Sequence, residues 1–532
     1  MGATNAVFNA ATWLVDRHVD DGRGDRLAIR CEGRSTTYAQ LQLQVFRAQR
    51  LLEEIGLQPG DRVAMVVQDD EAFPAFFLGC LRAGLVAVPL STMLKGPALG
   101  AIVADSGATA LVVSTTFVHT IADIAGALPL LGHVVVCDSA DPAGDAAAAD
   151  AAAVVPAGAV LHRWSDHGEC EELVAAGTDA ASPAFWLYSS GTTGLPKGVM
   201  HVHGNLPATY ETYAREVLRV SDGDRFLSVA KLFFAFGLGN SLTFPLAAGA
   251  TVILHPAPPS PPAMAALIAA EAPTLFFSSP GFCAAMLDSS PDPSVFASVR
   301  ATVTAGESLP ANIQQRFTAL TGAPVLDGIG STELLHIFIS NTLDEQVPGS
   351  SGWVVPGYSA ELRNDDGELV TEPDTPGYLQ VQGASAATGY WQRPEATAAA
   401  FRDGGWVRTG DVYTRSADDV WTFLGRNNDM IKAGGIWVSP AEVEAALIEH
   451  ETVLEAAVVG SRDERGLETV VAFVVPASGA RPEEAVLGRH CADRLASFKR
   501  PRRVIVVDEL PKTATGKIKR FVLRDSLGTG TR

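Results

Sequence analysis

Phe185-Trp186-Leu187-Tyr188, an apolar run of the kind that forms a buried strand, breaks abruptly into Ser189-Ser190-Gly191-Thr192-Thr193-Gly194-Leu195-Pro196-Lys197-Gly198. A loop of hydroxyl residues, glycines and one cation offers backbone N–H groups, side-chain hydroxyls and positive charge together, which suits polyphosphate oxygens. Its glycines let the main chain approach a ligand and reach positive φ. It is not a Walker A loop, since Gly-x-x-x-x-Gly-Lys-Ser/Thr cannot be threaded through it. By composition alone an ordinary Gly/Ser/Thr turn after a strand fits as well.

Around this loop stand 532 residues, too many for one ordinary core, which points to two or more domains. Hydrophobic residues make up 47%, ample for buried sheets. The formal charge of −20 argues against a nucleic-acid partner held by phosphate contacts, so cations that meet a polyphosphate ligand must be local. Cys31, Cys80, Cys137, Cys170, Cys283 and Cys491 are scattered without a Cys-x-x-Cys pair, the pattern of reduced thiols in a cytoplasm. The N-terminus lacks a basic start followed by an apolar run, and no stretch of about 18 apolar residues predicts a membrane span.

Thr37-Tyr38-Ala39-Gln40 has the form of a capping box, followed by Leu41, Val45, Ala48 and Leu52 at helical spacing. Residues 62–67 predict a strand, 71–83 a helix and 85–90 a second strand, hence parallel pairing through a right-handed crossover. Residues 101–136 repeat that theme. The alanine-rich stretch 141–158 reads as a surface insertion, because alanine alone buries too little to hold a core. Farther on, Thr302 to Pro310 predicts a strand ending in a turn. Asp327-Gly328-Ile329-Gly330-Ser331-Thr332-Glu333 reads as a Gly-rich turn before a carboxylate. Ser439-Pro440-Ala441-Glu442 supplies a Ser cap, Pro at the first helical position and Glu at the third. From that cap onward the chain reads as αββαβ, with helices to about 449 and over 483–498, and strands near 453–460, 468–476 and 504–507.

The loop string SSGTTGLPKG resembles the phosphate loop of the adenylate-forming enzymes, which include acyl- and aryl-CoA ligases, peptide-synthetase adenylation domains and luciferases. Further matches occur in the family's order, so the resemblance covers nearly the whole chain. It implies ATP contacts from Ser189, Ser190, Gly191, Thr192, Thr193, Gly194 and Lys197, and a turn along the adenine at Gly306 and Glu307. Asp327, Gly328, Ile329 and Thr332 fall in the second nucleotide motif, with Glu333 as the Mg²⁺ carboxylate; many relatives carry tyrosine where Ile329 stands. Arg408-Thr409-Gly410-Asp411 resembles the ribose motif, where Asp411 would accept both hydroxyls and Arg426 would reach the same sugar. The strings Phe234-Ala235-Phe236-Gly237 and Leu335-His336-Ile337-Phe338 are similar to those of benzoate-type ligases. There Ala235, Phe236, Gly330, His336 and Ile337 would line a ring slot. In a chain without the other motifs, both strings would pass for core packing.

The resemblance also implies a division at Asn428, where relatives have Asp or Lys. A large domain, 1–426, would hold ATP and acid, and a small mobile lid, 427–532, would carry the catalytic Lys517. Lys432 would meet the substrate carboxylate or CoA, and Gly434, Gly435 and Trp437 would face the pantetheine arm. The expected fold is therefore α/β, a large N-terminal domain of parallel-rich βαβ layers plus a small αββαβ domain. The expected activity is an ATP-dependent, AMP-forming aryl-CoA ligase acting on benzoate or a substituted benzoate. ATP, Mg²⁺ and coenzyme A are the cofactors and co-substrates, and neither nucleic acid nor membrane is a partner. A homodimer is compatible with this reading. The rivals are an aryl-acid adenylating enzyme that loads a carrier-protein thiol, a luciferase-like oxygenase, and a nucleotide binder without turnover.

Overall fold

The computed structural model describes residues 6–124, 126, 128, 130–138, 142–156, 158–168, 171–189, 196–433, 436–462, 468–512 and 518–528. Two large sheets dominate it. The first has eight described strands, and its central run Pro183–Ser189, Val86–Pro89, Arg62–Val66, Ala110–Ser114, His133–Cys137 and Val160–Arg163 is parallel throughout. Lys197–Val202 and Gly389–Tyr390 complete that sheet as antiparallel strands beyond Pro183–Ser189. The expected strand–helix–strand unit is present, with helix Ala72–Arg82 crossing between Arg62–Val66 and Val86–Pro89.

The second sheet has nine described strands, of which six are mutually parallel: Val325–Gly330, Ala301–Thr304, Leu275–Ser278, Arg225–Ser228, Thr251–Leu254 and Leu27–Cys31. Helices Tyr38–Glu54 and Ala72–Arg82 join one apolar cluster with residues of both sheets, Met65, Phe185, Phe226 and Phe277 among them. Every residue of Ala72–Arg82 beyond Ala72 is buried, as expected of a helix apolar on all sides. The capping box at Thr37 is formed: Gln40 N–H donates to Thr37 Oγ1 at 3.2 Å, and Thr37 N–H donates to Gln40 Oε1 at 2.9 Å.

The alanine-rich stretch departs from the expected insertion. Pro142–Val154 is a helix, and it makes the crossover from His133–Cys137 to the parallel strand Val160–Arg163. Alanine is the best helix former, and a crossover needs only one narrow buried edge. Here that edge is Ala151, with Val154 and Val155 beside it, packed on the cluster beneath the first sheet.

A five-stranded antiparallel sheet comes next, containing Ser359–Arg363, Gly377–Gln382, Trp406–Arg415 and Trp421–Arg426. Past Arg426 comes the hairpin Ile431–Ala433 with Ile436–Val438, then the expected αββαβ order: Pro440–Ile448, Val453–Arg462, Glu468–Pro476, Glu484–Ala492 and Arg503–Val506. Helix Arg520–Gly528 extends it. Ser439 caps the first helix, its Oγ accepting from Glu442 N–H at 3.2 Å. The second helix stops at Ala492, short of the expected 498, because the Arg500 guanidinium takes the Ala492 and Leu495 carbonyls at 2.9 and 3.0 Å. Among the described residues no helix is long and apolar enough to cross a membrane, and the five described cysteines are free.

Candidate active site

The hydroxyl- and glycine-rich loop after Tyr188 joins two antiparallel neighbours, with Ser189 opposite Lys197 and Tyr188 opposite Gly198. Ser190, Gly191, Thr192, Thr193 and Gly194 lie outside the described residues, as do Gly434, Gly435 and Lys517. The described ends still fix where the loop starts and finishes. Lys197 Nζ stands 5.0 Å from the centre of the Tyr390 ring, close enough for a cation–π contact. The Tyr390 hydroxyl in turn donates to Glu333 Oε1 at 2.8 Å. Burial, then the neighbouring Glu333 charge, push the Tyr390 phenol's pKa upward, so it remains a donor.

Asp411 and Arg426 face each other across paired strands. Arg426 Nε lies 3.1 Å from Asp411 Oδ1, and Arg426 Nη1 donates to the Thr409 carbonyl at 3.0 Å. Asp411's charge, opposed by burial, raises the Arg426 pKa, and Glu333 adds to the effect. Lys197, Glu333, Asp411 and Arg426, chosen from separate stretches of sequence, thus form one connected charged region.

Asp327-Gly328-Ile329-Gly330 is strand rather than turn, and the turn begins at Ser331, whose Oγ accepts from Leu334 N–H at 3.2 Å. The glycines serve close approach: a Cβ on Gly330 would lie 2.6 Å from the His336 carbonyl oxygen. The Asp327 carboxyl is turned inward, accepting from Thr304 Oγ1 at 2.9 Å, and burial pushes its pKa up to about 8. Its side chain ties the ends of the strands Ala301–Thr304 and Val325–Gly330, two residues before Gly306, which has φ +98°. Thr332 opens the short helical turn Thr332–Leu334, and its carbonyl faces His201 Nε2 at 2.8 Å. His201 is itself buried against Phe185 and Asn205.

The expected ring-slot residues do gather. Leu335 carries φ +66°, a strained value for a side chain of that size, and the turn it makes sends His336 inward. His336 is 2% exposed, with ring centres of Phe236 at 5.4 Å, Tyr213 at 5.4 Å and Phe244 at 4.5 Å. Its Nε2–H donates to Asn240 Oδ1 at 3.1 Å, and burial lowers its pKa to about 3, so the ring is neutral. Ala235 begins the short helix Ala235–Leu238, and Ile337, 1% exposed, begins the strand Ile337–Ser340. Gly239 is needed there, since a Cβ would lie 2.3 Å from His336 Cδ2.

Two expected residues lie on the hairpin past Arg426. Trp437 lines a cavity of about 100 Å³ with Arg363, Tyr378 and Met430. Lys432 pairs with Trp437 through the hairpin backbone, and its side chain is outside what is described. Asn428 sits exposed in the turn Asn427–Asp429. Beside it, Asp429 accepts from Arg524 Nη1 at 2.9 Å. Sequence reasoning missed Tyr390, His201 and Asn240. The only signal for the first was an aromatic pair between Gly389 and Pro394. A single histidine or asparagine beside apolar residues carries none.

A family model described as AMP-binding enzyme matches residues 15–391, and one described as AMP-binding enzyme C-terminal domain matches 442–517. A benzoate–CoA ligase of Thauera aromatica is 42% identical over 98% of this chain and 96% of its own length. Among solved structures, a benzoate CoA ligase from Burkholderia xenovorans LB400 superposes with a TM-score of 0.86 at 39% identity, covering 97% of this chain and 100% of that one. The anthranilate CoA ligase AuaEII in complex with anthranoyl-AMP gives a TM-score of 0.89 at 34% identity, over 99% of this chain and 98% of that one.

Proposed function

Because this chain belongs to the AMP-binding enzyme family and is an AMP-forming aryl-acid–CoA ligase, we propose that its acid is benzoate or a benzoate with small ring substituents. The observation that carries this reading is the cluster of Phe236, neutral His336 and Ile337, since a flat ring packs well between aromatic and small residues. A carboxylate is a poor acyl donor because its leaving group would be oxide. In the first step a carboxylate oxygen attacks the α-phosphorus of ATP, pyrophosphate leaves and an acyl-adenylate forms. In the second the thiol of CoA attacks the acyl carbon and AMP leaves.

In this reading residues 189–194 and Lys197 hold the phosphates. Gly306, Glu307, Gly328 and Ile329 flank the adenine, with Asp327 bracing them, and Thr332 meets the α-phosphate. Asp411 and Arg426 take the ribose. Lys517 offsets charge building between carboxylate and α-phosphate. The lid, 427–532, turns about Asn428, bringing Lys432, Gly434, Gly435 and Trp437 to CoA. Glu333 would hold Mg²⁺: one carboxylate completed by phosphate oxygens and water fits that ion, and no cage of three or more ligands gathers among the described residues. When bound, its charge offsets that of the departing pyrophosphate. The free thiols suit a cytoplasmic setting, and light scattering would decide whether the enzyme is a dimer.

Pyrophosphate release, measured with and without CoA across aryl and fatty acids, tests the reading. Benzoate should release pyrophosphate and consume CoA, whereas palmitate should turn over poorly. Comparable rates for the two would remove the ring-slot assignment, and adenylation without CoA consumption would favour a carrier-protein acceptor. Gly239→Ala is a sharper probe, because its new Cβ drives His336 off Asn240. Overpacking on this scale costs about 1–3 kcal/mol. The KM for benzoate should rise about tenfold or more, with the KM for ATP much less affected; equal changes in both would contradict the assignment.

A further inference from the structure

The short strand Gly389–Tyr390 and the turn that follows it serve two places. It lies antiparallel on Lys197–Val202, the strand leaving the phosphate loop, with Tyr390 opposite Val199. Thr388 and Trp391 extend the contact, their N–H groups donating to the Met200 and Gly198 carbonyls at 2.9 and 2.8 Å. Tyr390 turns to Glu333 and Lys197. Trp391 and Arg393 turn instead to Asp105, near the end of helix Gly96–Ser106. The Trp391 indole Nε1 donates to the Asp105 carbonyl at 3.0 Å, and Arg393 Nη2 donates to Asp105 Oδ1 at 2.5 Å.

The second carboxylate oxygen, Oδ2, accepts from the Tyr188 hydroxyl at 2.8 Å. Tyr188 lies on the strand that enters the loop, and its ring covers Gly198 so closely that a Cβ there would lie 3.1 Å from Tyr188 Cζ. A single carboxylate therefore ties the strand entering the loop to the segment laid along the strand leaving it. An amide would serve badly, because its NH₂ would face one of the two donors.

We infer that Asp105 is a positioning residue for ATP: through Tyr188 and the Trp391–Arg393 turn it sets where Lys197 and Glu333 stand relative to each other. This role rests on residues 189–197 being the phosphate loop and Glu333 the metal carboxylate, as proposed for the function. Bonds to an ionised carboxylate are the stronger kind, and partners that orient ligating groups in this way typically matter 10- to 100-fold.

Asp105→Asn and Tyr188→Phe test it, with ATP affinity by calorimetry, pyrophosphate release, thermal melting, and conversion of supplied benzoyl-adenylate to benzoyl-CoA. Asp105→Asn should weaken ATP binding and raise the ATP KM about tenfold, the lower end of that range. Tyr188→Phe, which keeps the ring over Gly198, should do so to a smaller extent and answers the question if the first variant folds poorly. Conversion of supplied benzoyl-adenylate should stay within about twofold, because that species lacks the β- and γ-phosphates the loop would hold. Equal losses in both half-reactions, or a lowered melting temperature with unchanged ATP affinity, would leave Asp105 as scaffold only and overturn the inference. Lys197→Ala, run alongside, separates the two layers. If it too leaves ATP affinity unchanged, the phosphate-loop reading fails and takes the inference with it. If it weakens ATP and Asp105→Asn does not, the inference alone falls.

Discussion

Lys517→Ala should slow adenylation about 10²- to 10³-fold, the usual effect of removing one group aimed at developing transition-state charge, while still converting supplied benzoyl-adenylate and CoA to benzoyl-CoA. The described ends of its segment form a closed base: Lys512 bridges Ile518, and Lys519 N–H donates to the Pro511 carbonyl at 2.7 Å. Arg520, three residues beyond Lys517, is gripped by Glu444 at 2.7 and 2.9 Å, and Glu307 on the nucleotide side adds to the field around it. In the proposed function this segment carries Lys517 to the nucleotide. A lid in that pose blocks the approach of a thiol to the same carbonyl. On that proposal the second half-reaction would need the lid turned, with Lys517 withdrawn and Gly434 and Gly435 brought in. Replacing Gly435 by a bulky residue should do the reverse of Lys517→Ala, sparing pyrophosphate release and blocking thioester formation. If Lys517→Ala impaired both half-reactions equally in a folded protein, this division of labour would be wrong.

Asp411→Ala is expected to weaken ATP binding about 100-fold. Two effects combine. The variant removes the acceptor proposed for the ribose hydroxyls, and it strips Arg426 of the carboxylate 3.1 Å away. Hydrogen bonds to a charged group contribute about 1.5–3 kcal/mol, and with the proposed acceptor of both ribose hydroxyls gone the upper end, about 3 kcal/mol, applies. The Asp411 side chain is 3% exposed and that of Arg426 43% exposed, so the lost ion pair is felt mainly as reduced stability of the fold. Supplied benzoyl-adenylate retains the ribose, so its use should suffer as well, which separates this variant from Lys517→Ala and from Asp105→Asn. An unchanged KM for ATP would count against the ribose assignment.

Much of this was legible in the linear sequence because it is written in contiguous residues. The run Phe185 to Gly198 announces through composition a buried strand breaking into a loop of glycines and hydroxyl residues, and the string SSGTTGLPKG itself carries the resemblance to a phosphate loop. Thr37 with Gln40, and Ser439 with Glu442, declare helix starts through hydrogen bonds spanning three residues, and both caps form. The parallel crossovers arise from strand, helix and strand recurring at short intervals. Each of these depends on neighbours in the chain.

What the tertiary structure decided depends on partners far apart in the chain. Asp105 meets Arg393 across 288 positions and Tyr188 across 83, and no local pattern marks an aspartate at a helix end for that task. Asp327, expected among the nucleotide contacts, turns its side chain inward to Thr304, because the strand that carries it is buried between two others. Residues 142–154 became a crossover helix once a neighbouring sheet offered a surface that alanine could cover. Periodicity and caps are settled by energies within a few residues. Which side chains meet is settled by how the sheets stack, and that is a property of the whole chain.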